Sequence, residues 1–85
     1  MKFYAIEFDD VKMNFSDSGH YINSVVVGRK WYVSSSANSV DSTDVAYAKL
    51  FPNMRGVKQA LQWAGDNPRV FEVETSVNVI GEVKI

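Results

Sequence analysis

The residues able to do chemistry are few in this 85-residue chain and poorly placed to act together. There is one histidine, His20, directly after Gly19, and no cysteine. A metal site or a catalytic triad needs several such ligands, or a base beside a nucleophile, so His20 reads as a structural or solvent-facing residue. Asp9 and Asp10 are adjacent, which sends them to opposite sides of an extended chain, and they read as charges that end a strand rather than as a paired acid and base. Glu72 and Glu74 do share a strand face, on the helix-free side, but no partner base or metal set accompanies them. Without cysteine there is no disulfide framework, zinc–thiolate site, iron–sulfur ligation or thiol nucleophile. The five glycines are scattered, and no phosphate-cradling glycine motif occurs. The expectation is a chain with no catalytic residue, no metal and no cofactor.

Binding residues are easier to nominate. Arg29-Lys30-Trp31-Tyr32 is the densest basic and aromatic cluster, and such clusters hold nucleic acid by phosphate contact and base stacking. The competing reading sends Trp31 into the core and leaves Arg29 and Lys30 to solvate a hairpin turn. Lys49, Arg55 and Lys58 would widen a basic patch only if the helix start lies near that hairpin. Trp63 falls on the flank of a helical apolar stripe, either as an interface anchor or as the edge of the core. The candidate binding residues are therefore Arg29, Lys30, Trp31 and Trp63.

The elements that must position them follow from periodicity. Lys2 to Phe8 alternates as a strand that Asp9-Asp10 ends, and Val11 to Gly19 reads as a loop anchored by Met13 and Phe15. His20 to Val27 is rich in β-branched residues, with a tight connection at Gly28-Arg29 or Arg29-Lys30 into a third strand, Trp31-Tyr32-Val33. Residues 34–43 hold five serines and read as a mobile loop. Asp41 or Ser42 would cap a short turn ended by Phe51-Pro52. Val57, Ala60, Leu61 and Ala64 lie at helical spacing, between Asn53 as N-cap and Gly65 as the residue beyond the C-terminus. Gly56, in the first turn, requires tertiary packing to hold that end. Asp66-Asn67-Pro68 reads as a turn, followed by strands over 69–75 and 77–85. The expected fold is α+β: an antiparallel sheet of about five strands in the order β-β-β-α-β-β, with one main helix on one face.

Length and composition make this one domain, 1–85, and too small for a deep active-site cleft. Nine basic and ten acidic residues leave a net charge of −1, without the global field that drives nonspecific nucleic-acid binding. The first ten residues lack the apolar run of a signal peptide and no stretch is long enough to span a membrane, so a cytoplasmic location is expected. Apolar residues run to the end of the last strand; left at an edge it invites pairing with another chain, and inside the sheet it does not. A homodimer through an edge strand or the Trp63 helix face is expected.

The order of segments from Tyr32 to Val83 carries a resemblance. Tyr32-Val33 after a hairpin is followed by a polar loop, Ala48-Lys49-Leu50-Phe51, a capping residue and Ala60 in the helix. Two valine-rich strands then close it, Val70-Phe71-Glu72-Val73 and Val79-Ile80-Gly81-Glu82-Val83. This order resembles the small accessory proteins of bacteriophage genomes. The resemblance implies a non-catalytic protein that binds and blocks a host enzyme or defence complex, acting in the host cytoplasm, and it transfers no site residue. Sequence alone thus points to a small protein-binding inhibitor of the anti-defence or host-takeover kind, with a nucleic-acid-binding module using the Arg29-Lys30-Trp31 hairpin as the alternative.

Overall fold

The computed structural model describes residues 2–33, 41–74 and 78–84. Four strands, β1 (Lys2–Phe15), β2 (Tyr21–Trp31), β3 (Asp66–Glu74) and β4 (Asn78–Val83), form one antiparallel sheet in the order β2-β1-β3-β4. A 3₁₀ turn (Val45–Tyr47), the helix α1 (Met54–Ala60) and a second 3₁₀ turn (Leu61–Trp63) lie between β2 and β3.

Two expected breaks are absent. Asp9 and Asp10 do not end β1, because Asp9 pairs with Arg29 and Asp10 with Gly28, and the strand continues to Phe15. Nor does the chain turn at residues 28–30; those residues lie inside β2, and the reversal comes at Ser16–His20, where Gly19 has φ +84°. There the Ser16 carbonyl accepts from Gly19 N–H, and the His20 carbonyl accepts from Ser16 N–H. The expected second and third strands are one, which reduces the sheet from five strands to four. Asp66-Asn67-Pro68 likewise belongs to β3, with Asn67 at φ +49° beside the register shift between Glu7 and Asp9. Thr75, Val77 and Ile85, expected in the last two strands, lie outside the described residues, as does most of the serine-rich segment.

Alternation along β1 builds two cores. On one face Ile6 and Phe8 pack with Tyr32, Phe51, Val57, Ala60 and Val70, under α1; on the other Ala5 packs with Trp31 and Val73, flanked by Val45, Ala48, Leu50 and Phe71. Asn53 caps α1 as expected, its side chain accepting from Arg55 and Gly56 N–H at 3.1 and 3.3 Å. Asp44, rather than Asp41 or Ser42, caps the first 3₁₀ turn by accepting from Ala46 N–H. Gly56 is held by packing: a Cβ there would sit 3.0 Å from Phe51 Cδ1. Gly65 does not end the helix in a left-handed conformation; a side chain at that position would collide with the Phe8 ring.

The distal half of the β1–β2 hairpin leaves this body behind. Beyond Asp9 no third strand accompanies it among the described residues, so Val11–Phe15 and Tyr21–Val27 form a free two-stranded ribbon there. The molecule is accordingly elongated, 52 × 24 × 22 Å, with a radius of gyration of 14.5 Å, above the ~12 Å of a compact chain this long.

Candidate functional site

The structure disperses the Arg29-Lys30-Trp31 cluster. Pairing with Asp9, Phe8 and Glu7 places Arg29 and Trp31 on one face of β2 and Lys30 on the other. Trp31 is buried, edge-on to Phe71 with ring centroids 5.4 Å apart, so its face is not open to a nucleic-acid base. Arg29 Nη1 lies 3.9 Å from Glu7 Oε1, and Lys30 Nζ lies 3.8 Å from Asp10 Oδ1. Each cation of the cluster already faces a carboxylate.

The same pairing assembles an ionic cluster at the base of the ribbon. Glu7 is buried and accepts from Arg69 Nε at 3.1 Å. Arg69 Nη1 lies 2.9 Å from Asp9 Oδ1 and donates to the Asn67 carbonyl at 2.9 Å. Asn67 Nδ2 donates to Asp9 at 3.3 Å. Arg69 Nη2, 3.1 Å from the Glu7 oxygen that already accepts from Nε, makes no hydrogen bond. Desolvation raises the pKa of Asp9, but hydrogen bonds from Arg69 and Asn67 and the charges of Arg69 and Arg29 outweigh it, leaving the pKa lowered. For Arg69, desolvation is likewise outweighed by bonds to Asp9 and Glu7, and its pKa is raised. The group fastens β1 to β3.

Trp63 stands apart from both. It is 63% exposed and forms one wall of an open cleft of about 320 Å³ lined by Tyr32, Lys49, Phe51, Gly56, Gln59 and Ala60. Tyr32 and Phe51 stack in its floor with centroids 6.3 Å apart and rings 23° from parallel. Lys49 reaches the cleft because its backbone N–H donates to Tyr32 and Phe51 pairs with Tyr4 in both directions, and its Nζ lies 5.5 Å above the Phe51 ring. From Val45 to Gly65 the chain bears Lys49, Arg55 and Lys58 and no carboxylate; all three are exposed. Of these, Lys49 lines the cleft with Trp63, and Arg55 and Lys58 lie on α1.

Comparisons with protein-family models, curated proteins and solved structures give no match. The geometry of the chain itself is therefore the ground for function.

The remaining chemical candidates sit as follows. His20 is exposed in the Ser16–His20 turn, where its backbone N–H donates to Ser16 Oγ at 3.1 Å. Glu72 pairs with Tyr4, two residues from Val70 of the helix-side core, so it lies on the helix side and not the opposite one; its carboxylate is 4.0 Å from Lys2 Nζ. Among the described residues no group of three or more His, Asp or Glu side chains could hold a metal, and no helix is long and apolar enough to cross a membrane. Sequence reasoning named Trp63 but missed its cleft partners Tyr32, Lys49 and Phe51. The available signal was the 21-residue stretch from Val45 to Gly65, free of acidic side chains in a chain that has ten.

Proposed function

We propose that this chain is a small non-catalytic protein-binding module that works by covering a partner's surface, and that the Trp63 cleft is the face that meets the partner. The observation carrying this reading is an exposed tryptophan beside a cleft floored by stacked aromatic rings, with the Lys49 ammonium over the Phe51 ring in its lining. A cup of that volume accepts one or two side chains, and an aromatic rim of this kind is where binding energy concentrates. The matching ligand is an acidic protein segment that inserts an apolar residue against Tyr32, Phe51 and Trp63 while a carboxylate meets Lys49. The narrower reading, a phage-encoded inhibitor of a host enzyme or defence complex in the host cytoplasm, adds to this the resemblance in segment order.

Capture from bacterial lysate tests it with three baits: wild type, Trp63→Ala and Lys49→Glu. A stoichiometric protein partner held by the wild type and lost from both variants supports the reading. No partner, or one held equally by all three, overturns it. A second reading has its own observation, since a cation sharing a cleft with an exposed tryptophan also suits a single nucleic-acid strand. The nucleic-acid module then uses Lys49 and Trp63 in place of the buried Trp31. Salt-sensitive oligonucleotide binding abolished by Trp63→Ala would select it.

A further inference from the structure

The free ribbon leaves more apolar surface uncovered than any other part of the described chain. Met13, Phe15, Tyr21, Ile22, Val25, Val26 and Val27 are all between 42% and 61% exposed. Val11 and Met13 lie on the face that bears Val26 and Ser24, and the Phe15 and Tyr21 rings meet edge-on at 6.2 Å on the paired ends. Lys12, Asn14, Asn23 and Val25 lie on the opposite face, where Asn14 donates to Asn23 at 2.8 Å.

The outer edge of β2 is open as well. Among the described residues its one cover is Ser42, bridged to Trp31 at the base of the strand. From Tyr21 to Val27 that edge carries no proline and no charged side chain, whereas edge strands of monomers are usually guarded by one or the other. A two-stranded ribbon is marginal in water, and three or more strands with an apolar face are needed for it to stand.

We propose that β2 pairs antiparallel with β2 of a second copy, about a two-fold axis at Ser24. The regular part of the edge, Asn23–Val26, is bounded by the register shifts that absorb Ile22 and Val27, and an axis at Ser24 falls inside it, half a residue from its midpoint. Ile22 then meets Val26 of the other copy, Asn23 meets Val25, and Ser24 meets its own equivalent. Two free ribbons become one four-stranded sheet with a continuous face of Met13, Phe15, Tyr21, Ile22 and Val26 from each chain.

The unpaired edge and its charge favour a second copy as occupant. An identical edge offers the same row of unpaired backbone groups, and pairing it sets Ile22, Val25 and Val26 of the two copies side by side. Between Val11 and Val27 the formal charges are Lys12 and Asp17 alone, so like meets like without net repulsion. The ribbon also lacks the basic residues that would draw it to an anionic membrane or to nucleic acid.

The chain has no cysteine, so Ser24→Cys introduces a single thiol on the proposed axis. Light scattering on the wild type is expected to give twice the 9.6 kDa chain mass, and Val26→Lys is expected to give the monomer with an unchanged circular dichroism spectrum. Under mild oxidation Ser24→Cys should form a covalent dimer much faster than Ser18→Cys, which places its thiol in the turn. Trp63→Ala should leave the dimer intact, separating this contact from partner binding at the cleft. A monomeric wild type at high concentration overturns the proposal, whether or not it binds lipid vesicles. So does Ser24→Cys crosslinking no faster than Ser18→Cys, which remains decisive if Val26→Lys fails to fold.

Discussion

Arg69 reaches across from β3 to place Nη1 2.9 Å from Asp9 Oδ1, joining residues far apart in the chain through one charge-assisted contact. Its Nε meanwhile donates to the buried Glu7, so one guanidinium contacts two carboxylates of β1, with Arg29 as the second cation. Asp9 thereby stays inside the strand that its charge would otherwise end. The ribbon grows outward from that point.

Acid should weaken the fold through Asp9. Its folded pKa lies below the ordinary 3.8, so its contribution is fully present above that value and is lost as pH falls through 3.8 and on through the lower folded pKa. Urea unfolding followed from about pH 5 to about pH 2 should show a shallower loss of stability for Asp9→Asn than for the wild type. The two proteins should converge at the acid end. Parallel curves would mean that the Arg69 contact does not form in solution.

Gly65 is required by the Phe8 ring beside it, not by a left-handed backbone. Gly65→Ala should therefore destabilise by about 1–3 kcal/mol, the usual cost of overpacking. Thermal melting reads this as a fall of several degrees, at roughly 4–8 °C per kcal/mol for a domain of this size. The second variant Phe8→Leu should soften the penalty, because it removes the ring atoms that the new methyl would strike.

The two tryptophans should separate stability from binding. Trp31→Ala removes a buried ring packed with Ala5 and Val73 and edge-on to Phe71 and is expected to cost about 3–5 kcal/mol, a large part of what a small domain has. Trp63→Ala removes an exposed ring and should stay within about 0.5 kcal/mol of the wild type in urea. Intrinsic fluorescence supports the same division: Trp31→Phe should retain red-shifted, quencher-accessible emission from Trp63.

Removing the Asn53 side chain probes the helix start alone. Asn53 accepts from two N–H groups of α1, so Asn53→Ala should lower stability by about 1 kcal/mol. Hydrogen exchange at Arg55 and Gly56 should accelerate in that variant more than exchange at Val70.

Local chemistry alone determined a good deal of this protein. The alternation of Tyr4, Ile6 and Phe8, the helical spacing of Val57, Ala60 and Leu61, and the Asn53 cap each depend on contacts within a few residues, and each is found in the structure. The flank of that helical stripe left Trp63 either an interface anchor or the edge of the core, and the fold exposes it. Tertiary structure decided where the strands end and what the charged residues do. Asp9, Asp10, Arg29 and Lys30 look like strand breakers and turn residues when each is read against its neighbours in sequence. Their compensating partners, Arg69 for Asp9 and the cross-strand pairs of Asp10 with Lys30 and Glu7 with Arg29, come from distant parts of the chain. The same long-range pairing buries Trp31, opens the cleft beside Trp63 between segments that periodicity treats separately, and, among the described residues, leaves the outer ribbon without a third strand. A charge ends a strand only when nothing across the sheet answers it, and what stands across the sheet is a property of the fold.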